Sequence, residues 1–395
     1  MHKKLNSPLM PTYNRLKVAF ESGSGAWLTD TRGERYLDAL SGISVCSLGH
    51  AHPAVAAALA DQAGRLIHTS NLYEIPLQEQ LAQRLCGLSG LDKVFFGNSG
   101  AEANEAAIKI CRKYAHEQGM DDPVIVVMEG SFHGRTLATV TATGNAKLKK
   151  GFGPLLEGFH HIPYGDIAAL RKLTGLNIKI VAVMLEPILG EGGIVIPPRG
   201  YLREVAEVCR ENNWLLVLDE IQTGMCRTGA WFAFQHEGIR PDIVTLAKAL
   251  GNGVPIGACL TNDMAAAAMV AGTHGSTFGG NPLACRAGLA VLDYMQANAI
   301  PQRAAQLGQH MLSGFQAGLA GVAGVKEVRG KGMMFGIELE HDCTELAGLA
   351  LQRHLLINIT AGNVIRLLPP LIISDELGDQ IVAAVCSLVV DYLSG

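Results

Sequence analysis

Three short segments combine residue types that chemistry can use. In Phe96-Gly97-Asn98-Ser99-Gly100-Ala101-Glu102, an apolar run gives way to Ser99 with Glu102 three residues on, a capping box that starts a helix. The motif is either a well-capped helix and nothing more, or a cradle in which the backbone N–H groups of Gly100 and Ala101 and the positive end of the helix dipole face a phosphate. In Leu216-Val217-Leu218-Asp219-Glu220-Ile221-Gln222, two carboxylates emerge at the end of an apolar strand, where open α/β sheets bind ligands. A carboxylate buried there needs a cationic partner: a structural ion pair, or a cofactor ring nitrogen. A metal is disfavoured because no histidine accompanies the pair. In Leu246-Ala247-Lys248-Ala249-Leu250-Gly251, a lysine directly follows an apolar strand. At a surface it would be an ordinary solvated cation. Held at the end of a buried strand it loses hydration, which lowers its pKa and frees the amine for a Schiff base.

The elements that must position these residues are legible as alternating apolar runs and helical patterns. Strands are expected at 93–96, 124–128, 180–185, 214–218, 243–246 and 256–260, with helices at 102–116 and 201–212 between them. Near-continuous Val/Ile/Leu runs separated by helices imply an α/β unit with a largely parallel sheet covered on both faces. Outside this block, 25–38 reads as a hairpin around Asp30-Thr31-Arg32-Gly33. Residues 325–338 and 364–368 read as strands, and 375–393 as a closing helix started by Ser374. The two ends are expected to build one smaller α+β domain. The expected division is 1–65, 66–290 for the large domain, and 291–395.

Composition excludes several function classes. Lys+Arg (32) nearly balance Asp+Glu (36), and no basic run exceeds Lys149-Lys150, so no nucleic-acid partner is expected. Uninterrupted apolar stretches fall short of the roughly 18 residues of a membrane span, so no membrane partner is expected either. The first residues, Met1 to Pro8, carry two lysines without an apolar segment after them, unlike a signal peptide, which makes the cytoplasm the expected compartment. Nine cysteines are scattered from Cys46 to Cys386 with no metal-ligand spacing, and are expected to be reduced and mostly core. Cys226 stands closest to the densest motif. The 46 glycines among 395 residues, well above the roughly seven per cent of average chains, suggest backbone-rich turns around a small ligand.

The order phosphate cradle, carboxylate, lysine resembles the pyridoxal-phosphate enzymes of fold type I, specifically the class III aminotransferases. The resemblance runs through Tyr36-Leu37-Asp38, Gly49-His50-Ala51-His52-Pro53, Asn98 to Ala103, Phe132-His133-Gly134-Arg135, Glu186-Pro187, Gly190-Glu191-Gly192, Asp219 to Gln222, Lys248, Ser276-Thr277 and Ile365-Arg366. It implies a large domain with a mostly parallel mixed sheet, a small α+β domain, and pyridoxal 5'-phosphate held as a covalent aldimine at Lys248, with Asp219 on the ring nitrogen. It further implies that Ser99, Gly100, Ala101, Phe132, Glu220, Ile221, Gln222 and Thr277 surround the cofactor. By the same resemblance Arg135, Ser276, Glu191 and Arg366 serve the substrates, Arg135 taking the distal carboxylate and Arg366 the α-carboxylate of glutamate, covered by Glu191 when the amine substrate is bound. Ser276 and Thr277 reach the site from the neighbouring subunit in this family, which implies a homodimer.

Within the class, Ser41-Gly42-Ile43-Ser44-Val45 and Ser70-Asn71-Leu72 are most similar to the acetylornithine branch. Ile43 cannot hydrogen-bond a free α-ammonium, which favours an acylated amine. The expected reaction is therefore amino transfer from N2-acetylornithine to 2-oxoglutarate in arginine biosynthesis, with succinylornithine, ornithine and 4-aminobutyrate as alternative amines. A decarboxylase or aminomutase would not need both arginines. A ligand-sensing regulator would need an appended DNA-binding domain, for which no segment is expected. A nicotinamide dehydrogenase is disfavoured because Gly251-Asn252-Gly253 lacks the third glycine of a dinucleotide fingerprint.

Overall fold

The computed structural model describes residues 8–395; the Met1 to Pro8 segment, weighed as a signal peptide, lies almost wholly outside the described residues. Three strands open the described chain: β1 (Phe20–Ser24), β2 (Trp27–Asp30) and β3 (Arg35–Asp38), joined in antiparallel order. The expected hairpin is β2–β3, with Gly33 N–H donating to Asp30 O at 3.0 Å.

The central sheet contains β4 (Lys93–Gly97), β5 (Val124–Met128), β6 (Phe159–Ile162), β7 (Ile180–Leu185), β8 (Leu215–Asp219), β9 (Ile243–Leu246) and β10 (Gly257–Thr261), in the spatial order 4-10-9-8-7-5-6. Pairings from β6 through β9 are parallel, and β10 runs antiparallel to both its neighbours. Every residue of β7, β8 and β9 is buried, because helices cover both faces. Val183 and Leu185 pack into one core layer while Ala182 and Met184 pack into the other, the period-2 alternation of a strand sandwiched on both sides. Edge strand β6 was not expected: its sequence, Phe159-His160-His161-Ile162, interrupts the apolar run with two half-buried histidines.

Among the helices that cover the sheets are α1 (Gly100–Glu117), α2 (Tyr201–Glu211), α3 (Pro282–Ala297), α4 (Ile300–Gly318) and α5 (Asp375–Ser394). Residue 290 lies inside α3. Helix α5 starts, as expected, at Ser374, whose hydroxyl accepts from Leu377 N–H. By length and mean hydropathy (1.4) it could cross a membrane. Its Ile381, Val385, Leu388 and Val389 instead lie in the protein core.

The carboxyl-terminal third corrects one expectation. Residues 325–338 are not one strand but a hairpin of β11 (Val325–Lys331) and β12 (Met334–Leu339), turning at Gly332. Gly332 has φ of 55°, and a Cβ there would meet Thr228 C at 2.4 Å. Only glycine lets the turn approach so closely. The chain then adds β13 (Leu355–Leu356), β14 (Asn358–Thr360) and β15 (Val364–Leu367). β13 pairs in parallel with β3, so the two chain ends share a sheet, while β12, β15 and β14 continue the second small sheet.

Arg227 clamps these parts together. Its side chain is fully buried and meets no carboxylate among the described residues; it donates to Ser44 Oγ (3.0 Å), Ser47 Oγ (3.0 Å), Met333 O (3.0 Å) and Pro369 O (2.6 Å). Burial pushes its pKa down to about 9, which leaves it protonated at neutral pH. Replacement by Met would strand two hydroxyls and two carbonyls without their donor. Arg227→Met should lower unfolding free energy by about 2–5 kcal/mol, with Arg227→Lys intermediate because one ammonium cannot span all four acceptors. Denaturant unfolding of both variants checks this; a loss under about 1 kcal/mol in each would show that the junction is held elsewhere.

Candidate active site

The carboxyl ends of the parallel strands and the start of α1 enclose a cavity of about 450 Å³. Ser99 caps α1 through its hydroxyl, which accepts from Glu102 N–H at 3.2 Å, and the Glu102 carboxylate reaches back to Asn98 N–H at 2.7 Å. The capping box thus forms with its return bond displaced by one residue. Gly100 and Ala101 line the cavity, and among the described residues their N–H groups have no acceptor. Ile221 explains the glycine: a Cβ at position 100 would lie 2.7 Å from Ile221 Cδ1.

Asp219 ends β8, 3% exposed. Its Oδ2 accepts from Asn104 Nδ2 (2.7 Å) and faces His133 Nδ1 (2.8 Å), while among the described residues Oδ1 accepts only from Ile221 N–H (3.1 Å). Asn104 is itself fixed, accepting from Thr245 Oγ1 (2.7 Å) and donating to His133 O (2.8 Å). The carboxylate is therefore oriented from behind, with Oδ1 still able to accept from a cation in the cavity. Glu186 stands nearby, accepting from Phe132 N–H and Gly190 N–H; burial, and next the Asp219 charge, push its carboxyl up to about 7.

Lys248 follows β9 in a left-handed conformation (φ 45°). Such a backbone costs a non-glycine residue on the order of 1–3 kcal/mol and persists where surrounding structure fixes it. Its amine enters the cavity, and burial, then the Arg366 charge, hold its pKa below the usual lysine value.

Two arginines differ sharply in environment. Arg135 lines the cavity exposed, its guanidinium 5.6 Å from the Phe132 ring centroid, with no ion pair among the described residues. Arg366 is 1% exposed on β15 and donates to Glu191 Oε1 (2.6 Å), Gln222 Oε1 (3.4 Å) and Asn358 Oδ1. Gln222 lines the cavity and so joins Arg366 to it.

Of the residues expected from sequence, Ser99, Gly100, Ala101, Phe132, Arg135, Asp219, Ile221, Gln222 and Lys248 meet at this cavity. Glu191 and Arg366 adjoin it at Gln222. Glu220 turns away: its carboxylate accepts from Thr223 Oγ1 and from the N–H groups of Ala233 and Phe234, and is not among the lining residues. Ser276 Oγ accepts from Asn98 Nδ2 (3.1 Å) at the rim of the same chain's cavity, and Thr277 is exposed. Cys226 is buried against Met295, away from the cavity, with φ of 71°. Residues 41–44 form a left-handed turn (φ 46°, 63°, 64°, 63°) tied down by Asp38, Leu368 O and Arg227. Ile43 packs there beside Ile188, Ile194, Met334 and Leu368, and Val45 rather than Ile43 lines the cavity. Asn104 and Asn358 escaped the sequence reading. An asparagine on the apolar face of a predicted helix was the signal for the first.

Unpartnered N–H donors at a helix start, an oriented carboxylate with a free lone pair and an amine of lowered pKa fit the phosphate, ring nitrogen and aldehyde of pyridoxal phosphate. Residues 10–389 match the family model described as aminotransferase class-III. The chain is 52% identical over 387 residues, 98% of each chain, to the acetylornithine aminotransferase of Nitrosomonas europaea. Among solved structures, it superimposes on ornithine aminotransferase from Toxoplasma gondii ME49 with a TM-score of 0.93 at 35% identity, covering 98% of this chain and 93% of that one. Acetylornithine aminotransferase from Elizabethkingia anophelis gives 0.86 at 35% identity, covering 97% and 96%. With the motifs of the family gathered around one cavity and the match running through nearly the whole chain, the protein belongs to the class III aminotransferases.

Proposed function

We propose that the chain transfers the δ-amino group of N2-acetylornithine to 2-oxoglutarate, giving N-acetylglutamate 5-semialdehyde and glutamate in arginine biosynthesis. The observation that carries this reading is one cavity lined by Lys248, Asp219, Gly100 and Ala101, with Arg135 at its wall. The acetylornithine aminotransferases among its relatives support the choice of amine.

Pyridoxal phosphate, when bound, supplies an electron sink for the carbon that loses its proton. Gly100 and Ala101 would hold its phosphate, Phe132 and Gln222 would meet its ring, and Lys248 would hold it covalently. Asp219, kept in one orientation by Asn104 and His133, stabilises positive charge on the ring nitrogen. Lys248, whose amine is disposed to be neutral, takes and returns the substrate proton.

Two carboxylate sites of different availability suit two substrates. Arg135 has no competing anion among the described residues and serves the carboxylate that both substrates carry at a distance from the reacting amine. Arg366 is already covered by Glu191 while the acylated amine is bound; glutamate alone brings a second carboxylate to displace it.

A homodimer is part of this proposal. Segments 66–73 and 276–280 are bonded together through Asn71 and expose Leu66, Ile67, Leu72, Tyr73 and Phe278. An apolar patch of this kind marks an interface, and it borders Ser276 and Thr277. The nine cysteines, all free, suit a reducing cytoplasm.

The decisive experiment mixes cofactor-loaded enzyme with N-acetylornithine, succinylornithine, ornithine or 4-aminobutyrate and follows single-turnover absorbance. N-acetylornithine should react fastest; priority for ornithine or 4-aminobutyrate would replace the amine substrate while leaving the reaction class. Because Lys248 must be neutral to capture the cofactor, capture by apoprotein should plateau at a pH below the 10.5 at which an ordinary lysine titrates. Arg366→Met removes a nearby positive charge, raises the Lys248 pKa and should move that profile to higher pH; an unmoved profile would mean that the two charges do not interact. Leu72→Glu should shift sedimentation toward monomer and weaken cofactor retention, whereas an unchanged profile would place the interface elsewhere.

A further inference from the structure

Arg366 faces a problem of electrostatic logic. A guanidinium that is 1% exposed must be held by acceptors, yet an arginine that receives a substrate carboxylate must not be permanently neutralised. The structure divides its donors between two kinds of partner. Nη1 goes to Glu191 Oε1 at 2.6 Å and Gln222 Oε1 at 3.4 Å. Nε and Nη2 both go to one neutral atom, Asn358 Oδ1, at 3.1 and 2.6 Å. Asn358 and Arg366 are direct cross-strand partners in the antiparallel β14–β15 pair, so their side chains share a face and the contact is built into the register.

Asn358 thus occupies the Nε/Nη2 edge of the guanidinium and leaves the Nη1/Nη2 edge, the other bidentate fork, for an anion. Glu191 holds only part of that fork and is the more exposed partner, at 37%. Thr360, two residues along β14 from Asn358, donates its hydroxyl to the Glu191 backbone carbonyl. With that backbone anchored, Glu191 can leave Arg366 by side-chain rotation alone.

We propose that Asn358 is a positioning residue for the glutamate half-reaction: a neutral anchor that aims Arg366 at the cavity without consuming its charge, while Thr360 anchors the exchange partner. This rests on the reading that Arg366 takes the α-carboxylate of glutamate. The two half-reactions then separate the roles. The amine half-reaction leaves Glu191 on Arg366 and depends little on Asn358; the glutamate half-reaction uses the freed fork.

The test measures both half-reactions of the holoenzyme by single-turnover absorbance, together with calorimetric affinity for 2-oxoglutarate, in Asn358→Leu, Asn358→Asp and Asn358→Ser. Asn358→Leu should weaken glutamate use and 2-oxoglutarate affinity by about 10- to 100-fold, the scale of a lost hydrogen bond to a charged group, and change the N-acetylornithine half-reaction by less than about threefold. Asn358→Asp keeps the acceptor but adds a competing charge, and should fail to restore glutamate use. Asn358→Ser, the small polar replacement, should show the same bias more weakly. Equal losses in both half-reactions, or full function with Asp, would overturn the proposal. Arg366→Met separates the underlying reading: if it left the glutamate half-reaction intact, the assignment of Arg366 itself would fall.

Discussion

A guanidinium buried without a carboxylate organises this molecule. Arg227 joins the left-handed turn near residue 44, the loop that follows β8, and two carbonyls of the carboxyl-terminal part. Because a buried cation cannot tolerate lost acceptors, those four groups are held at fixed positions relative to one another. Gln222 and Lys248 are already brought together by the β8–β9 pairing, and the junction adds the carboxyl-terminal part that carries Arg366. The approach of Gly332 to Thr228 belongs to the same junction, since any side chain at 332 would push the hairpin away from the loop.

Within the cavity, the neutral amides of Asn104 and Asn358 help set orientation and leave charge for ligands. Asn104 and His133 aim the Asp219 carboxylate, while Asn358 aims Arg366. Burial, seconded by neighbouring charge, does the rest: with Arg366 it lowers the Lys248 pKa, and with Asp219 it raises that of Glu186. The left-handed backbone at Lys248 and at residues 41–44 is strain of the kind a class III aminotransferase can hold only where surrounding bonds fix it.

Most of the large sheet was legible because strands buried on both faces leave long β-branched runs. What was missed had half-buried or mixed sequence: β6 with its two histidines, β1 on an exposed edge, and the hairpin 325–339, where glycine turns a continuous pattern back on itself. The site divided similarly. Asp219, Lys248 and the α1 start announce themselves by position after a strand. Glu220 has the same announcement and a different fate, because alternate residues at a strand end face opposite ways and only the packing tells which way is the cavity.

Local periodicity and capping were enough to determine the doubly buried strands of the large sheet, the helix that begins at Ser99, and the residues whose chemistry depends on their place at a strand end. Tertiary structure alone decided which side chains support them. Asn104, Thr245 and His133 stand far apart in the chain yet meet behind Asp219. Asn358 reaches Arg366 only through strand register, and Arg227 finds its four acceptors in three separate segments. A buried polar group is satisfied by whatever donors and acceptors the fold brings to it, and no local pattern encodes those partners.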